Sequence, residues 1–278
     1  MQQIVARLRE LWRYRELIEN LIVRDLKVRY KGSALGFLWC LLNPLLLMLV
    51  FTAVFTVMLP NLAVPRFPVF VLCALLPWSF FNTAVMGAVN SIVQNGHLIK
   101  KVNFPHEVIP ISTVLSSFVN FLLSFPILLL FIMVFHISFT TALIYLPLIM
   151  VVQVIFTIGV SLILATINVF YRDTSVIMEV VMQAWFFLTP IFYPIDLLPE
   201  QRLIWNIVVP VRRLTYILNP MASIIASYRS VLYGFTNGSL PAPPAFDFFS
   251  RTAVTALLCL VIGYVFFSRY AHRFGEEV

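Results

Sequence analysis

The strongest constraint in this sequence is a run of 64 residues, Val108 to Tyr171, without a single Asp, Glu, Lys or Arg. One histidine, His136, interrupts the run within a short polar patch. Because about 20 apolar residues cross the roughly 30 Å hydrocarbon core of a bilayer, the run predicts two long membrane spans joined by a tight turn. We therefore expect an integral membrane protein.

The composition supports an integral membrane protein and limits the number of spans that the chain can contain. Hydrophobic residues make up 61% of the chain and charged residues 11%, against about 25% charged residues in a typical soluble domain. A chain of 278 residues holds about six spans and no large soluble domain. Cys40, Cys73 and Cys259 lie within apolar runs and are expected to be core residues. The net charge of +7 indicates orientation and contact with anionic lipid, not nucleic acid.

The uncharged segments predict an all-α transmembrane domain over residues 34–278, with six transmembrane helices. The predicted spans are Ala34–Leu59, Phe67–Val93, Val108–Phe135, Ala142–Val169, Thr174–Pro190 and Thr252–Ser268. Residues 1–33 are charged, but Ile4, Leu8 and Leu11 repeat at helical spacing between arginines. This pattern predicts an amphipathic helix on the membrane surface, with a fully solvated helix as the alternative.

The distribution of Lys and Arg predicts the orientation. With a cytoplasmic N-terminus, thirteen basic residues lie on the cytoplasmic side and six on the other side. The positive-inside rule therefore places both termini in the cytoplasm.

Two apolar pieces before the last predicted span are too short to cross a bilayer. Leu203–Val211 and Leu214–Ser227 have 9 and 14 residues and are separated by Arg212 and Arg213. We expect them to form two short re-entrant helices within residues 197–230, with an outer turn near the two arginines. A loop resting on the outer surface is the alternative.

Catalytic motifs are absent from the sequence. No glycine is followed by lysine, so the chain has no Walker A loop, and it has no metalloprotease, Cys-x-x-Cys or nucleophile-elbow motif. Glu179 is the one acid that falls inside a predicted span, six residues after Asp173. Its place near a helix end favours a partner contact over a proton relay. We expect no enzymatic activity in this chain.

Several short segments flank the apolar spans in a characteristic order. They are Val23–Trp39, Asn43–Pro44, Asn95–Pro105, Asn168–Asp173, Leu188–Pro194, Asn219–Met221 and Tyr228–Arg229. Each segment alone is weakly specific. In this order, and over almost the whole chain, they resemble the membrane subunit of polysaccharide-exporting ABC transporters, the permease family of O-antigen, teichoic-acid and capsule exporters.

The resemblance implies a type-2 ABC exporter fold with an amphipathic N-terminal helix, six spans and two re-entrant helices. It also implies a homodimer bound to two copies of an ATP-binding subunit, which would hold ATP and Mg, so that this chain itself needs no cofactor. The implied substrate is a polysaccharide on a lipid carrier, commonly undecaprenyl diphosphate. The implied location is the bacterial cytoplasmic membrane.

The loop from Asn95 to Pro105 occupies the coupling position of that family. A short amphipathic segment of this kind would dock in a groove of the ATPase and transmit its closure. A basic turn that faces lipid is the alternative. For Arg172 and Asp173, in the next cytoplasmic turn, the alternative is a local ion pair. The predicted coupling residues are Asn95, His97, Leu98, Ile99, Lys100, Lys101, Arg172 and Asp173.

A basic cluster before the first span predicts attraction for a phosphate-bearing lipid. Each basic residue near an anionic surface contributes about 1 kcal/mol. Leu35 and Gly36 match a loop that the family uses where the lipid head group enters. The alternative is orientation by ordinary phospholipid. The residues predicted for the head group are Arg24, Lys27, Arg29, Lys31, Leu35 and Gly36.

Aromatic residues form 15% of the chain and would let sugars slide along a channel on flat apolar faces. Belts at the lipid interface are the alternative. The predicted channel aromatics are Trp78, Phe81, Trp185, Phe187, Phe192 and Tyr193.

Three other functions compete with polysaccharide export. A permease for drugs or small lipids would share the architecture. A secondary transporter or channel would need buried ionisable residues or internal repeats, which the sequence lacks. A membrane enzyme acting on lipid-linked sugar would need paired acids or metal ligands, which are also missing.

Overall fold

The structure is a computed structural model that describes residues 13–33, 36–58, 64–102, 104–204, 207–234 and 239–278. The predicted interface helix before Arg13 and the predicted head-group residue Leu35 lie outside the described residues. The described chain is mainly helical and contains one short pair of β-strands. The helices are α1 Arg15–Tyr30, α2 Trp39–Ala53, α3 Phe67–Gln94, α4 Gly96–Lys101, α5 Val108–Val134, α6 Leu146–Phe170, α7 Thr174–Leu188, α8 Val211–Leu218, α9 Pro220–Leu232, α10 Phe246–Tyr270 and α11 Phe274–Glu277. The strands are β1 Arg202–Ile204 and β2 Ile207–Val209.

Five helical segments of the described chain are long and apolar enough to cross a membrane. They are Trp39–Met58, which includes a π-helical turn after α2, Phe67–Gln94, Val108–Val134, Thr141–Phe170 and Phe246–Glu277. The uncharged run of the sequence therefore forms two long helices, as predicted. The remaining predicted span corresponds to α7, whose 15 residues extend only about 22 Å.

Helix α3 is the centre of the bundle. It packs against α2, α5, α6, α7 and α9, and 78% of its most apolar stretch is buried, compared with 11% for the segment that contains α2. One amide connects three of these helices. Gln153 of α6 donates from Nε2 to the Pro77 carbonyl of α3 at 2.7 Å, and its Oε1 accepts from the Tyr228 hydroxyl of α9 at 2.8 Å. All polar atoms of this buried contact are thereby satisfied.

Small residues allow α10 to approach α6 closely. A Cβ atom on Gly263 would lie 2.3 Å from the carbonyl oxygen of Gly159, so neither helix could keep its position with a larger residue there. Such close contacts of small residues are typical of helix pairs in membranes.

A second apolar core lies at one end of the bundle, which we call the α4 end. Leu21 of α1, Ile99 of α4, Phe267 of α10 and Phe274 of α11 are buried together there. Val278 packs on Gly96, where an added Cβ would meet the valine side chain at 2.1 Å. Helix α4 is thus held by both α1 and the last residues of the chain.

At the opposite end of the bundle, which we call the α8 end, two short helices are present, but the prediction that they are separated at Arg212 and Arg213 is wrong. Part of the first apolar piece forms β1 and β2, which pair antiparallel with Leu203 opposite Val208. Its β-branched residues favour a strand over a helix. The two arginines lie inside α8, and the helices break instead at Asn219, because Pro220 lacks an N–H and favours the start of a helix.

Asn219 joins the α8–α9 turn to α7. Its side chain accepts from the Ala222 N–H at 3.2 Å and from Trp185 Nε1 at 2.9 Å, and it donates to Thr189 Oγ1 at 2.8 Å. The Trp185 ring contacts Trp78, which lies eleven residues, about 16 Å, into α3. The turn therefore lies beside the middle of α3.

The C-terminal part of α9 lies beside the start of α3. The guanidinium of Arg229 is buried and donates to the carbonyl oxygens of Phe70 at 3.3 Å, Pro190 at 2.6 Å and Ile191. It also stacks 3.6 Å from the centre of the Phe70 ring. The turn between α8 and α9 thus lies beside the middle of α3, and the C-terminal part of α9 lies beside the start of α3.

Candidate functional site

A polar cavity of about 290 Å³ lies between the end of α1, the start of α2, and the middles of α3 and α5. We call it the α1 cavity. Arg29 and Gly36 line it near the turn between α1 and α2, and it extends along α3 to Leu76, nine residues into that helix from the α8 end. Its polar lining residues are Tyr30, Asn43, Ser79, Thr83, Ser117, Asn120 and Ser124. A polar surface is therefore present at the depth of the membrane-spanning helices.

Several polar atoms of the residues that line the α1 cavity are held by hydrogen bonds, and two buried atoms have no such partner in the described chain. The Tyr30 hydroxyl donates to Asn120 Oδ1 at 2.5 Å and joins α1 to α5. Ser124 Oγ donates to the Cys40 carbonyl at 3.1 Å. Asn120 Nδ2 and Ser117 Oγ are buried without a hydrogen-bond partner in the described chain. Buried polar groups are normally paired, so these two atoms indicate a missing polar partner.

Two glycines lie in the turn between α1 and α2, and Gly36 lines the cavity. Gly32 and Gly36 have φ angles of +79° and +49°, in the left-handed region that favours glycine. The Gly36 N–H donates to Ser33 Oγ at 3.1 Å, which closes the turn between α1 and α2.

The structure separates the predicted head-group residues. Arg29 and Gly36 line the α1 cavity, whereas Lys27 and Lys31 are exposed along a shallow groove of α1. Arg24 lines the same groove, and its guanidinium is paired: its Nη1 donates to Asn95 Oδ1 at 3.0 Å, and its Nη2 lies 2.9 Å from Asp25. Arg24 therefore supports α4 in this structure and is not part of the cavity.

The predicted coupling loop forms the short helix α4, which presents one face outward. His97, Lys100 and Lys101 are exposed and Leu98 is half-buried. Ile99 is only 7% exposed and packs in the second core, because α1 and α11 cover that side of α4. Ile99 therefore packs inward in this structure, and a coupling role of Leu98 and Ile99 stays a prediction.

The other predicted coupling residues fall at the same end. Asn95 is buried and donates from Nδ2 to the Ser91 carbonyl at 2.8 Å, which positions the start of α4. Arg172 and Asp173 are exposed in the turn between α6 and α7. Because α11 contacts both α4 and α6, this turn and α4 belong to one surface.

His106, which the sequence did not single out, lies behind this surface. Its ring centre is 5.7 Å from that of Phe104 and 6.3 Å from that of Phe274. Burial lowers the pKa of His106 below its ordinary value of 6.5, against the opposite influence of the Glu107 carboxylate. The imidazole is therefore neutral at neutral pH, which suits its apolar contacts.

The predicted channel aromatics separate into two groups. Trp78 and Phe81 are buried inside the protomer, with Phe81 stacked 5.6 Å from Phe156 and both rings in contact with Trp185. They form core contacts among α3, α6 and α7 and face no channel in this conformation.

The second group lies on the surface. Phe187 is exposed, and Phe192 and Tyr193 are half-buried. The Phe192 ring stacks on Phe51 of α2, with centroids 5.4 Å apart. An aromatic surface thus connects α2 with the segment after α7, and a channel role stays a prediction for these residues.

The described residues form a bundle of apolar helices with α1 and the short, partly exposed helix α4 at one end, an arrangement that suits the membrane subunit of a transporter. The chain belongs to the ABC-2 type transporter family, whose sequence profile matches residues 16–233. Its relatives include proteins named O-antigen export system permease protein RfbA. The protein from Myxococcus xanthus is 36% identical over 275 residues, which is 99% of this chain and 100% of the relative. One from Klebsiella pneumoniae is 34% identical over 262 residues, 94% of each chain.

A more distant relative is the polysialic acid transport protein KpsM of Escherichia coli. It is 24% identical over 210 residues, which cover 71% of this chain and 79% of the relative. The family predicted from the ordered motifs is thereby confirmed. The chain is a multi-pass membrane transporter subunit, and the alternatives of a secondary transporter and of a membrane enzyme are set aside.

Proposed function

We propose that this chain is the permease subunit of an ATP-driven exporter that carries a lipid-linked polysaccharide out of the cytoplasm. The names of the relatives support a polysaccharide as the cargo. The observation that carries the proposal is the α1 cavity, because polar side chains at the depth of the spans are costly in a membrane unless they are paired, line a water-filled cavity or meet a polar ligand, and such residues mark substrate pathways.

The α1 cavity suits a phosphate-linked sugar. Arg29 in the lining supplies a positive charge for the phosphate of a carrier lipid such as undecaprenyl diphosphate. Ser117 Oγ and Asn120 Nδ2, which are buried and have no partner in the described chain, would become available to sugar hydroxyls if the cavity widened. Exposed apolar side chains of α2, such as Leu46 and Leu49, would accompany the lipid tail.

The proposed topology has six crossings with both termini in the cytoplasm. Helix α7 would cross together with the non-helical segment that follows it, and α8 and α9 would form the re-entrant pair. The support is the position of the Asn219 turn beside the middle of α3 and of Arg229 beside its start. The α4 end would then face the cytoplasm, in agreement with its basic residues.

The proposed assembly contains two copies of this chain and two copies of an ATP-binding subunit that hold ATP and Mg. Exposed apolar side chains on α2 and α7 would be covered by the second copy and by lipid. The exposed face of α4, with Arg172 and Asp173, would contact the ATPase, while Ile99 holds α4 on the permease.

The cavity is tested by filling it. Replacing Ser117 by Leu should abolish export of the glycan, measured as polysaccharide on the cell surface, while the complex still assembles. The matched control is Leu123→Phe on the exposed face of the same helix, which should export normally. Normal export by the Ser117 variant would contradict a transport role of the cavity.

The coupling face is tested by reversing its charge. The double variant Lys100→Glu, Lys101→Glu should fail to co-purify with the ATPase, whereas Lys31→Glu, an exposed change on α1, should not affect co-purification. ATP hydrolysis by the purified chain without its partner would contradict the division of labour proposed here.

A further inference from the structure

A second cavity, of about 340 Å³, lies at the α8 end between α8 and the start of α10. It is well separated from the α1 cavity, which shares no lining residue with it. We call it the arginine cavity. Its lining residues are Glu200, Arg212, Arg213, Tyr216, Phe248 and Arg251.

Arg212 has a structural role within this cavity. Its Nε donates to the Leu198 carbonyl at 3.2 Å and its Nη2 to the Asp196 carbonyl at 3.1 Å. Its Nη1 lies 3.4 Å from the carboxylates of Asp196 and Glu200. Arg212 therefore fixes the segment after α7 against α8, and the two carboxylates exceed its single positive charge, so that the three arginines and two acids together carry a net charge of +1.

Arg213 and Arg251 carry the charge that remains. Arg213 is exposed. Arg251 Nη2 is buried without a hydrogen-bond partner in the described chain, and its guanidinium lies 5.3 Å from the Phe248 ring. The Tyr216 ring contacts Phe248 edge-on at 4.9 Å and fixes that ring. The aromatic contact thus lies beside Arg251 without neutralising it, and the unpartnered N–H groups of its Nη2 suit an anion.

Each of these arginines precedes exposed apolar side chains on the same face of its helix, and we call each such set an apolar stripe. On α8, Arg213 is followed by Ile217 at a spacing of four residues, and on α10, Arg251 is followed by Val254 and Leu258 at spacings of three and seven. The three apolar side chains are exposed. Residues at these spacings share one face of a helix. A ligand with an anionic head and apolar tails fits this arrangement better than a free anion does.

We propose that Arg213 and Arg251 form a binding site for the phosphate head group of a membrane lipid at the α8 end of the bundle. Guanidinium groups bind phosphate oxygens in a bidentate manner, and the apolar stripes would receive the acyl or polyprenyl chains. The site does not depend on the proposed export function, because it can be tested by lipid binding in the absence of transport.

The test is lipid retention by the full-length chain in nanodiscs, measured by native mass spectrometry. Three samples separate the sources of phosphate: phosphatidylcholine with phosphatidylglycerol, phosphatidylcholine with undecaprenyl diphosphate, and phosphatidylcholine alone with inorganic diphosphate. The test variant is Arg213→Gln, Arg251→Gln. The control is Arg66→Gln, an exposed arginine at the start of α3, at the same end but outside the cavity.

The double variant should weaken binding of the phosphate-bearing lipid by about 30-fold, from about fivefold for each arginine near an anionic group. Arg66→Gln should change it less than twofold. A loss in the phosphatidylglycerol sample identifies an ordinary phospholipid, and a loss confined to the undecaprenyl sample identifies the carrier lipid. The lipid site would be overturned if the double variant and the control retained the lipid equally. It would also be overturned if the double variant lost binding only of free diphosphate. Arg213→Gln alone, an exposed change, should still weaken binding about fivefold and keeps the test valid if Arg251→Gln impairs folding.

Discussion

Replacing Arg229 by Met should destabilise the protein strongly. The guanidinium donates to three backbone carbonyls on two different segments and stacks on Phe70. Hydrogen bonds from a charged group contribute about 1.5–3 kcal/mol each, and a desolvated cation–π contact about 2 kcal/mol. Methionine would regain roughly 2–3 kcal/mol by apolar burial. The expected loss is therefore about 4–8 kcal/mol of unfolding free energy.

The loss can be followed through a buried thiol. Cys73 is fully buried one helical turn from Phe70, so a thiol-reactive fluorophore reports the opening of this region during heating. With about 2 °C per kcal/mol for a chain of this size, the midpoint should fall by about 8–16 °C. The unfolding midpoint of Arg229→Lys should lie between those of the unchanged protein and Arg229→Met, because one ammonium group cannot reach all three carbonyls.

The control is Arg269→Met, which removes an exposed arginine near the end of α10 and should shift the midpoint by less than about 2 °C. If Arg229→Met also stayed within about 2 °C of the unchanged protein, the carbonyl cluster would not be what holds α9 to α3, and the reasoning would be refuted.

Three further predictions concern packing and pH. Gly263→Ala should prevent α10 from packing closely against α6 and so lower the yield of folded protein. The control Gly275→Ala, at a glycine that faces open space, should not change the yield. Equal yields of the two variants would contradict the close approach of the helices. Ile99→Ala should lower the midpoint of thermal unfolding, because it truncates a buried side chain. His97→Ala, a change at an exposed residue, should weaken only the binding of the ATPase. Thermal unfolding and co-purification with the ATPase together separate the two effects. The pKa of His106 is lowered in the folded protein, so the unfolded chain binds more protons than the folded one below about pH 6.5. The stability of the protein should therefore fall as the pH drops below that value. The variant His106→Gln should remove this part of the pH dependence, which thermal unfolding at several pH values would measure.

The long spans could be predicted because crossing a membrane depends mainly on composition and length. The uncharged run from Val108 to Tyr171 indicates α5 and α6 without any knowledge of their partners. The break between α8 and α9 could not be placed from charge alone. Arg212 and Arg213 separate two apolar pieces in the sequence, yet both are accommodated inside α8 at the end of the bundle. The Asn219–Pro220 pair was the better signal for the break.

The side chains of the candidate sites depend more on tertiary contacts. Whether Ile99 faces inward is decided by α1 and α11, which are distant in the sequence. The polar lining of the α1 cavity left a weak signal: Ser117, Asn120 and Ser124 repeat at spacings of three and four within an apolar span, which places them on one face of α5. Only the packing of α2 and α3 against that face shows that it borders a cavity.

The unequal burial of the helices has a mechanical consequence. Helix α3 packs against α2, α5, α6, α7 and α9, so moving it would disrupt the core, and we expect it to stay in place when other helices move. The segment that contains α2 is mostly uncovered, carries Pro44 and ends in a π-helical turn, two features that let a helix bend locally. When a partner pushes on α4, displacement would therefore be taken up by α2, which lines the α1 cavity, so that the cavity can widen while the centre of the bundle keeps its shape.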